Sequence, residues 1–133
     1  RVMAINARAP FFLTQALLPL LRQAKPGYVI NICSVVSRKG YANQALYAAS
    51  KHALLGFTKS LAREIPSDEL RVHAILPGGT DTGMIREVRP DIDASELIAP
   101  EEIAEVVVDL VRMRGNAVID SVEVRRAAKP AWD

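Results

Sequence analysis

The chain has 133 residues, half of them apolar and 24% charged, enough for one ordinary domain with a real core. Seventeen basic residues against fifteen acidic ones leave a net charge of only +2 with no basic block, which argues against nucleic acid as a partner. A single cysteine, Cys33, rules out an internal disulfide and fits a reducing compartment, taken as the cytoplasm. No apolar run reaches the length of a membrane span, and His52 and His73 lack partners at metal-ligand spacing, so neither a membrane nor a metal is expected.

The chain opens on RVMAINARAPFF, already inside an apolar, helix-like pattern, and Met3 is not an obvious start, so a piece of a longer protein is expected. Residues 1–23 read as a helix, with Ile5, Phe12, Ala16, Leu17, Leu20 and Leu21 near a 3.6-residue period. Pro10 and Pro19 should interrupt it and deprive the carbonyls of Asn6 and Gln15 of their intrahelical donors. After Pro26-Gly27, YVINIC (28–33) is short and β-branched, like a buried parallel strand. A polar loop (35–44) leads into a long helix (45–65) stopped by Pro66.

RVHAIL (71–76) is a second strand, ended by Pro77-Gly78, and residues 78–99 read as a long irregular connection of the kind that carries function. The next helix starts at Pro100, with Glu101 and Glu102 at its positive end, Arg112 and Arg114 in its last turn and Gly115 closing it. AVIDSVEV (117–124) alternates as a third strand, and a basic tail containing Trp132 follows. The alternation implies an α/β architecture of three parallel strands joined by crossover helices. Ligands in such sheets bind beyond the carboxyl ends of the strands, where Ser34 and the Pro77-Gly78 loop fall.

Tyr47 and Lys51 stand four apart on one helix face, thirteen residues after Ser34. A nearby ammonium favours the phenolate and so lowers a phenol's pKa, which would make Tyr47 an acid for a developing alkoxide and a base for an alcohol. Ser34 can hydrogen-bond the same oxygen, and the Asn6 carbonyl, left without a donor by Pro10, can hold a water that links Lys51 to solvent. Alone, a Tyr-x-x-x-Lys pair is weak, and a Ser after a strand commonly just caps a turn.

The combination is more telling. INARAPF (Asn6), NICSVVS (Ser34), YAASKHAL (Tyr47, Lys51) and RVHAILPGGTDT together resemble the C-terminal half of a short-chain dehydrogenase/reductase, over roughly residues 3–125. The resemblance implies a partial Rossmann-type fold, residues 1–133 being the C-terminal portion of a single NAD(P)-binding domain. It also implies hydride transfer between a nicotinamide and a small-molecule carbonyl or alcohol. Tyr47 would be the acid/base. Lys51 would lower its pKa and bond the nicotinamide ribose, Ser34 would orient the substrate oxygen and Asn6 would hold the relay water. Pro77, Gly78, Thr80 and Thr82 would line the nicotinamide, and residues 84–99 would form a substrate lid.

The family's glycine-rich TGxxxGxG turn, which would cradle the cofactor pyrophosphate, is not in these 133 residues. The ending VEVRRA is more like that of NADP-using members, so the cofactor is NADP or NAD with a slight lean to NADP. The first strand would expose an edge. Helices 1–23 and 45–65 would make a homodimer or homotetramer in the full-length form, although the small residues Ala45, Ala48, Ala49, Ala53 and Gly56 could equally pack on the sheet. Arg86, Arg89, Arg125 and Arg126 could meet an acidic substrate, with solvated charge the favoured reading. The alternative to an enzyme is a truncated, non-catalytic relative acting as an interaction module.

Overall fold

The computed structural model describes residues 1–131; Trp132 lies outside the described residues. Three parallel strands, β1 (Gly27–Ile32), β2 (Leu70–Pro77) and β3 (Ser121–Val124), form one sheet in the order β1-β2-β3. Register runs from Gly27 opposite Leu70 to Ile32 opposite Ile75, and from Ala74 opposite Ser121 to Pro77 opposite Val124. β2 is the central strand and all of its residues are buried, which explains its nearly unbroken apolar sequence. β1 forms an edge, as its sequence position implied.

Alternate residues of the strands serve opposite faces. Val29, Leu70 and Val72 pack with Leu61 from α2 (Ala45–Glu64), with Ile65 just past its end, and with Leu18 and Leu21 from α1 (Ala9–Leu21). Farther along that face, Cys33, Ala74 and Leu76 meet Leu54 and Leu55. On the other face Ile75 packs with Ile103 and Leu110 of α4 (Pro100–Arg112) and with Ile98. Burying one such Leu or Ile contributes about 1.5–3 kcal/mol.

Four expectations change. Residues 1–23 are not broken at Pro10: a π-helical turn (Ala4–Arg8) precedes α1, and the Ala9 N–H reaches back to the Ala4 carbonyl. The wider turn lets the helix absorb a proline that has no N–H to give. Pro19 lies within the last turn of α1. The third strand is half its expected length, because side chains rather than a backbone ladder hold the segment before it. Arg71 donates to the Met113 carbonyl at 2.6 Å and to that of Gly115, and His73 Nδ1 donates to Ile119 O at 2.6 Å. The ladder takes over only where Ala74 N–H reaches Asp120 O, 3.0 Å away.

The 78–99 connection is partly ordered as α3 (Gly83–Val88) and a 3-10 turn (Ala94–Glu96). α4 stops at Arg112, so neither Arg114 nor Gly115 belongs to its last turn, and Arg71 supplies the cationic cap instead. At its start Glu102 accepts from the Ala99 N–H at 2.7 Å, and Pro100 takes the first helical position as expected.

Candidate active site

At the carboxyl ends of the three strands lies an open cleft of about 1260 Å³. Its lining includes Ser34, Tyr47, Lys51, Pro77, Gly78, Thr80 and Thr82, seven of the eight residues singled out from sequence. The parallel register explains the convergence. β1 delivers Ser34 just past its end, and the Cys33 N–H continues the ladder to Ile75 O at 2.7 Å. β2 delivers Pro77 and Gly78, and the Gly78 N–H is pinned to Val124 O of β3 at 2.7 Å.

Ser34 is buried and serves two ends. Its hydroxyl accepts from the Val36 N–H at 3.3 Å, capping the 3-10 turn Val35–Ser37, and donates to Pro77 O at 3.5 Å. The Ser34 N–H donates to Ser37 Oγ at 3.1 Å, completing a reciprocal cap. The turn-capping role is therefore real, and it holds the hydroxyl near enough to Tyr47 to act on the phenol's pKa.

The expected depression of the Tyr47 phenol by Lys51 is not found. Burial pushes the phenol above its ordinary value, the neighbouring Ser34 hydroxyl offsets part of that rise, and Cys33 adds to it. Lys51 Nζ donates to the Ile32 carbonyl at 2.8 Å and lies 5.9 Å from the Tyr47 ring centroid. Burial lowers the Lys51 pKa, opposed by Cys33. In this state Tyr47 is a proton holder and Lys51 a partly desolvated cation on a backbone carbonyl. Burial likewise raises the Cys33 thiol, Lys51 being the main opposing influence.

Asn6 is the eighth residue and stands outside the cleft lining. Its amide Nδ2 donates to Ser50 Oγ at 3.1 Å, and that hydroxyl donates to the Tyr47 carbonyl at 2.7 Å. The π-helical turn is thus tied to the backbone of the residue that holds the phenol. Ser50 is fully buried, and its only signal in the sequence is a polar residue beside Lys51 on the helix side turned toward residues 1–23. Thr80 donates to Gly78 O at 3.5 Å, and Thr82 caps α3 by accepting from the Ile85 N–H at 3.4 Å.

The other assignments sort cleanly. Asn31 donates to Thr58 Oγ1 at 2.9 Å as a packing residue, and His52 is exposed with Nδ1 on Ala48 O at 2.9 Å. Ala48 is buried, but Ala45, Ala49, Ala53 and Gly56 are exposed and do not pack on the sheet. Arg86 pairs with Asp81 and Arg89 with Asp91, at 2.6 Å each. Among the described residues no His/Cys/Asp/Glu group could hold a metal, and no helix is long and apolar enough to cross a membrane.

The sequence model of the short chain dehydrogenase family matches residues 1–93. An uncharacterized oxidoreductase, YciK, of Escherichia coli (strain K12) is 45% identical over 102 residues, covering 77% of this chain and 40% of that protein. The acetoacetyl-CoA reductase of an Acinetobacter species is 37% identical over 126 residues, covering 89% of this chain and 51% of the reductase. Among solved structures, a putative short chain dehydrogenase from Escherichia coli CFT073 complexed with NADPH has a TM-score of 0.82 and 37% identity, over 92% of this chain and 50% of that one. A 4-hydroxyisoleucine dehydrogenase complexed with NADH has a TM-score of 0.75 and 26% identity, over 93% of this chain and 56% of that one. The chain therefore spans about half the length of the proteins it matches.

Proposed function

The chain belongs to the short-chain dehydrogenase family, and on that premise we propose that it carries the proton-delivery half of an NAD(P)-dependent oxidoreductase interconverting a small carbonyl and its alcohol. The supporting observation is that Ser34, Tyr47 and Lys51 meet Pro77, Gly78, Thr80 and Thr82 in one cleft at the strand ends.

The hydrogen-bonding groups present suit the nicotinamide and ribose end of the cofactor. Lys51 offers an ammonium, and Thr80 and Thr82 offer hydroxyls. When bound, the nicotinamide supplies the hydride for reduction and takes it in oxidation. Ser34 Oγ orients the substrate oxygen, and Tyr47 gives that oxygen its proton as charge develops there. The Lys51 ammonium, anchored on the Ile32 carbonyl, offers its remaining donors to the nicotinamide ribose. The proton is restored from solvent through a water held at the Asn6 carbonyl, which Pro10 cannot serve. A phenol held above its ordinary value is protonated at neutral pH, the state in which reduction starts.

The cofactor reading leans slightly to NADP: the relative complexed with NADPH is the more similar in sequence, while NADH occupies the other. We further propose residues 1–133 as the C-terminal portion of one NAD(P)-binding domain, a homodimer or homotetramer at full length, and a cytoplasmic location suited to a free buried Cys33.

The test is Tyr47→Phe in the longest natural form of the protein. Reduction is expected to fall about 10²- to 10⁴-fold while NADPH affinity holds. Unchanged turnover would remove Tyr47 from the mechanism. For the unmutated protein, alcohol oxidation requires the phenolate, so its rate should climb with pH and level off only above the ordinary phenol value, because burial raises this group. A plateau near neutral pH would contradict that placement.

A further inference from the structure

The chain's net charge is only +2, yet the cleft is lined by Arg38, Lys39, Arg89, Arg125, Arg126 and Lys129 besides Lys51, against one carboxylate, Glu123. Several of these cations are committed. Arg38 holds Glu123 at 3.2 Å and Ser121 Oγ at 2.8 Å, and Arg89 grips Asp91 with two bonds of 2.8 and 2.6 Å. Arg125 curls back onto the tail, donating to Lys129 O at 2.7 Å.

Arg126 differs from the rest. Its side chain is only 10% exposed, and Nη1 is buried with no hydrogen-bond partner. It lies along the Pro77-Gly78-Gly79 loop, where a Cβ added at Gly79 would sit 3.4 Å from its Cδ and Nε. The carboxylate it pairs with is Glu96, 3.5 Å from Nη1, too far to satisfy that donor. Glu96 sits in the 3-10 turn of the connection between β2 and α4 and is half exposed, so it can leave without opening the core. A buried guanidinium with an unmet donor is costly, and a carboxylate or phosphate oxygen is the group that fits its fork.

We propose that Arg126 is an anion-binding, specificity-determining residue that receives an acidic group of the carbonyl substrate, with Glu96 as its stand-in when the substrate is absent. Assigning the anion to the substrate rests on the reductase reading above; the anion site itself does not. The entering anion takes the Nη1 donor and releases Glu96, so substrate charge and the position of the 94–96 turn are coupled. A neutral substrate would leave the pair in place and gain nothing from Arg126.

The test is an amide-resolved NMR titration of the longest natural form of the protein, without cofactor, using acetoacetate, its neutral ethyl ester and inorganic pyrophosphate. Acetoacetate is expected to shift amides around residues 78–80 and 124–127, and Arg126→Gln to weaken it about tenfold. Arg126→Lys should recover part of that loss, and the ethyl ester should be indifferent to both changes. Glu96→Gln, at a half-exposed position that does not endanger folding, should tighten acetoacetate roughly two- to fivefold by removing a competitor. The proposal falls if acetoacetate produces no shifts there, if Arg126→Gln leaves its affinity unchanged, or if Glu96→Gln weakens it. It also falls if pyrophosphate binds more tightly with the same dependence on Arg126, which would hand the site to the cofactor's phosphates. No turnover enters this measurement, so an unaffected Tyr47→Phe enzyme would sink the reductase reading while leaving the anion site intact.

Discussion

α1 and α2 cover the same face of the sheet, yet one is firmly seated and the other is half bare. α2 buries Ala48, Ser50, Leu54, Leu55, Thr58 and Leu61, whereas α1 buries only Thr14 and leaves Leu13 and Leu20 each 62% exposed. The reason lies in what is beneath them. α2 packs over β1 and the fully buried β2, while α1 rests against the edge strand β1, beyond which no strand pairs among the described residues. The helix that carries Tyr47 and Lys51 is the firmly packed one, as positioning two side chains against a strand end requires.

That contrast can be broken or sharpened by mutation. Leu54→Ala removes a side chain packed against Cys33, Ala74 and Leu76 and should cost about 2–5 kcal/mol in urea unfolding. A loss near zero would mean that α2 is not seated as described. Gly27→Ala tests the joint between α1 and β1. The new methyl would stand 2.2 Å from the Leu21 carbonyl oxygen, so backbone must move, and about 1–3 kcal/mol should be lost. A neutral result would show α1 able to swing free of the sheet. Leu13→Ala should change stability by less than about 0.5 kcal/mol in a thermal melt at low protein concentration. A cost as large as that of Leu54→Ala would show the α1 face to be covered in solution.

Much of the fold was legible because its signals are local. The apolar run at 71–76, the proline at 100 with two glutamates after it, and the stop at Pro66 each mark an element through its own neighbours. Where distant groups intervene, the reading failed. AVID in 117–120 alternates like a strand, but Arg71 takes the Met113 and Gly115 carbonyls before it and His73 the Ile119 carbonyl within it, and nothing near residue 117 announces that. Pro10 looked like a break because a π-helical turn leaves no mark in a 3.6-residue pattern. Lys51 was expected to act on Tyr47, since four residues on a helix bring side chains together, but the Ile32 carbonyl competes for its ammonium.

The sequence by itself determined the order of helices and strands and the spacing that puts Ser34, Tyr47 and Lys51 at strand ends, because periodicity and chain connectivity are properties of neighbouring residues. Tertiary structure alone decided that Asn6 reaches the site through Ser50, that the phenol is held above its ordinary value, and that Arg126 meets Glu96 of the 94–96 turn. Burial and charge pairing depend on which remote segments exclude water from a group, and that is set only when the sheet brings them together.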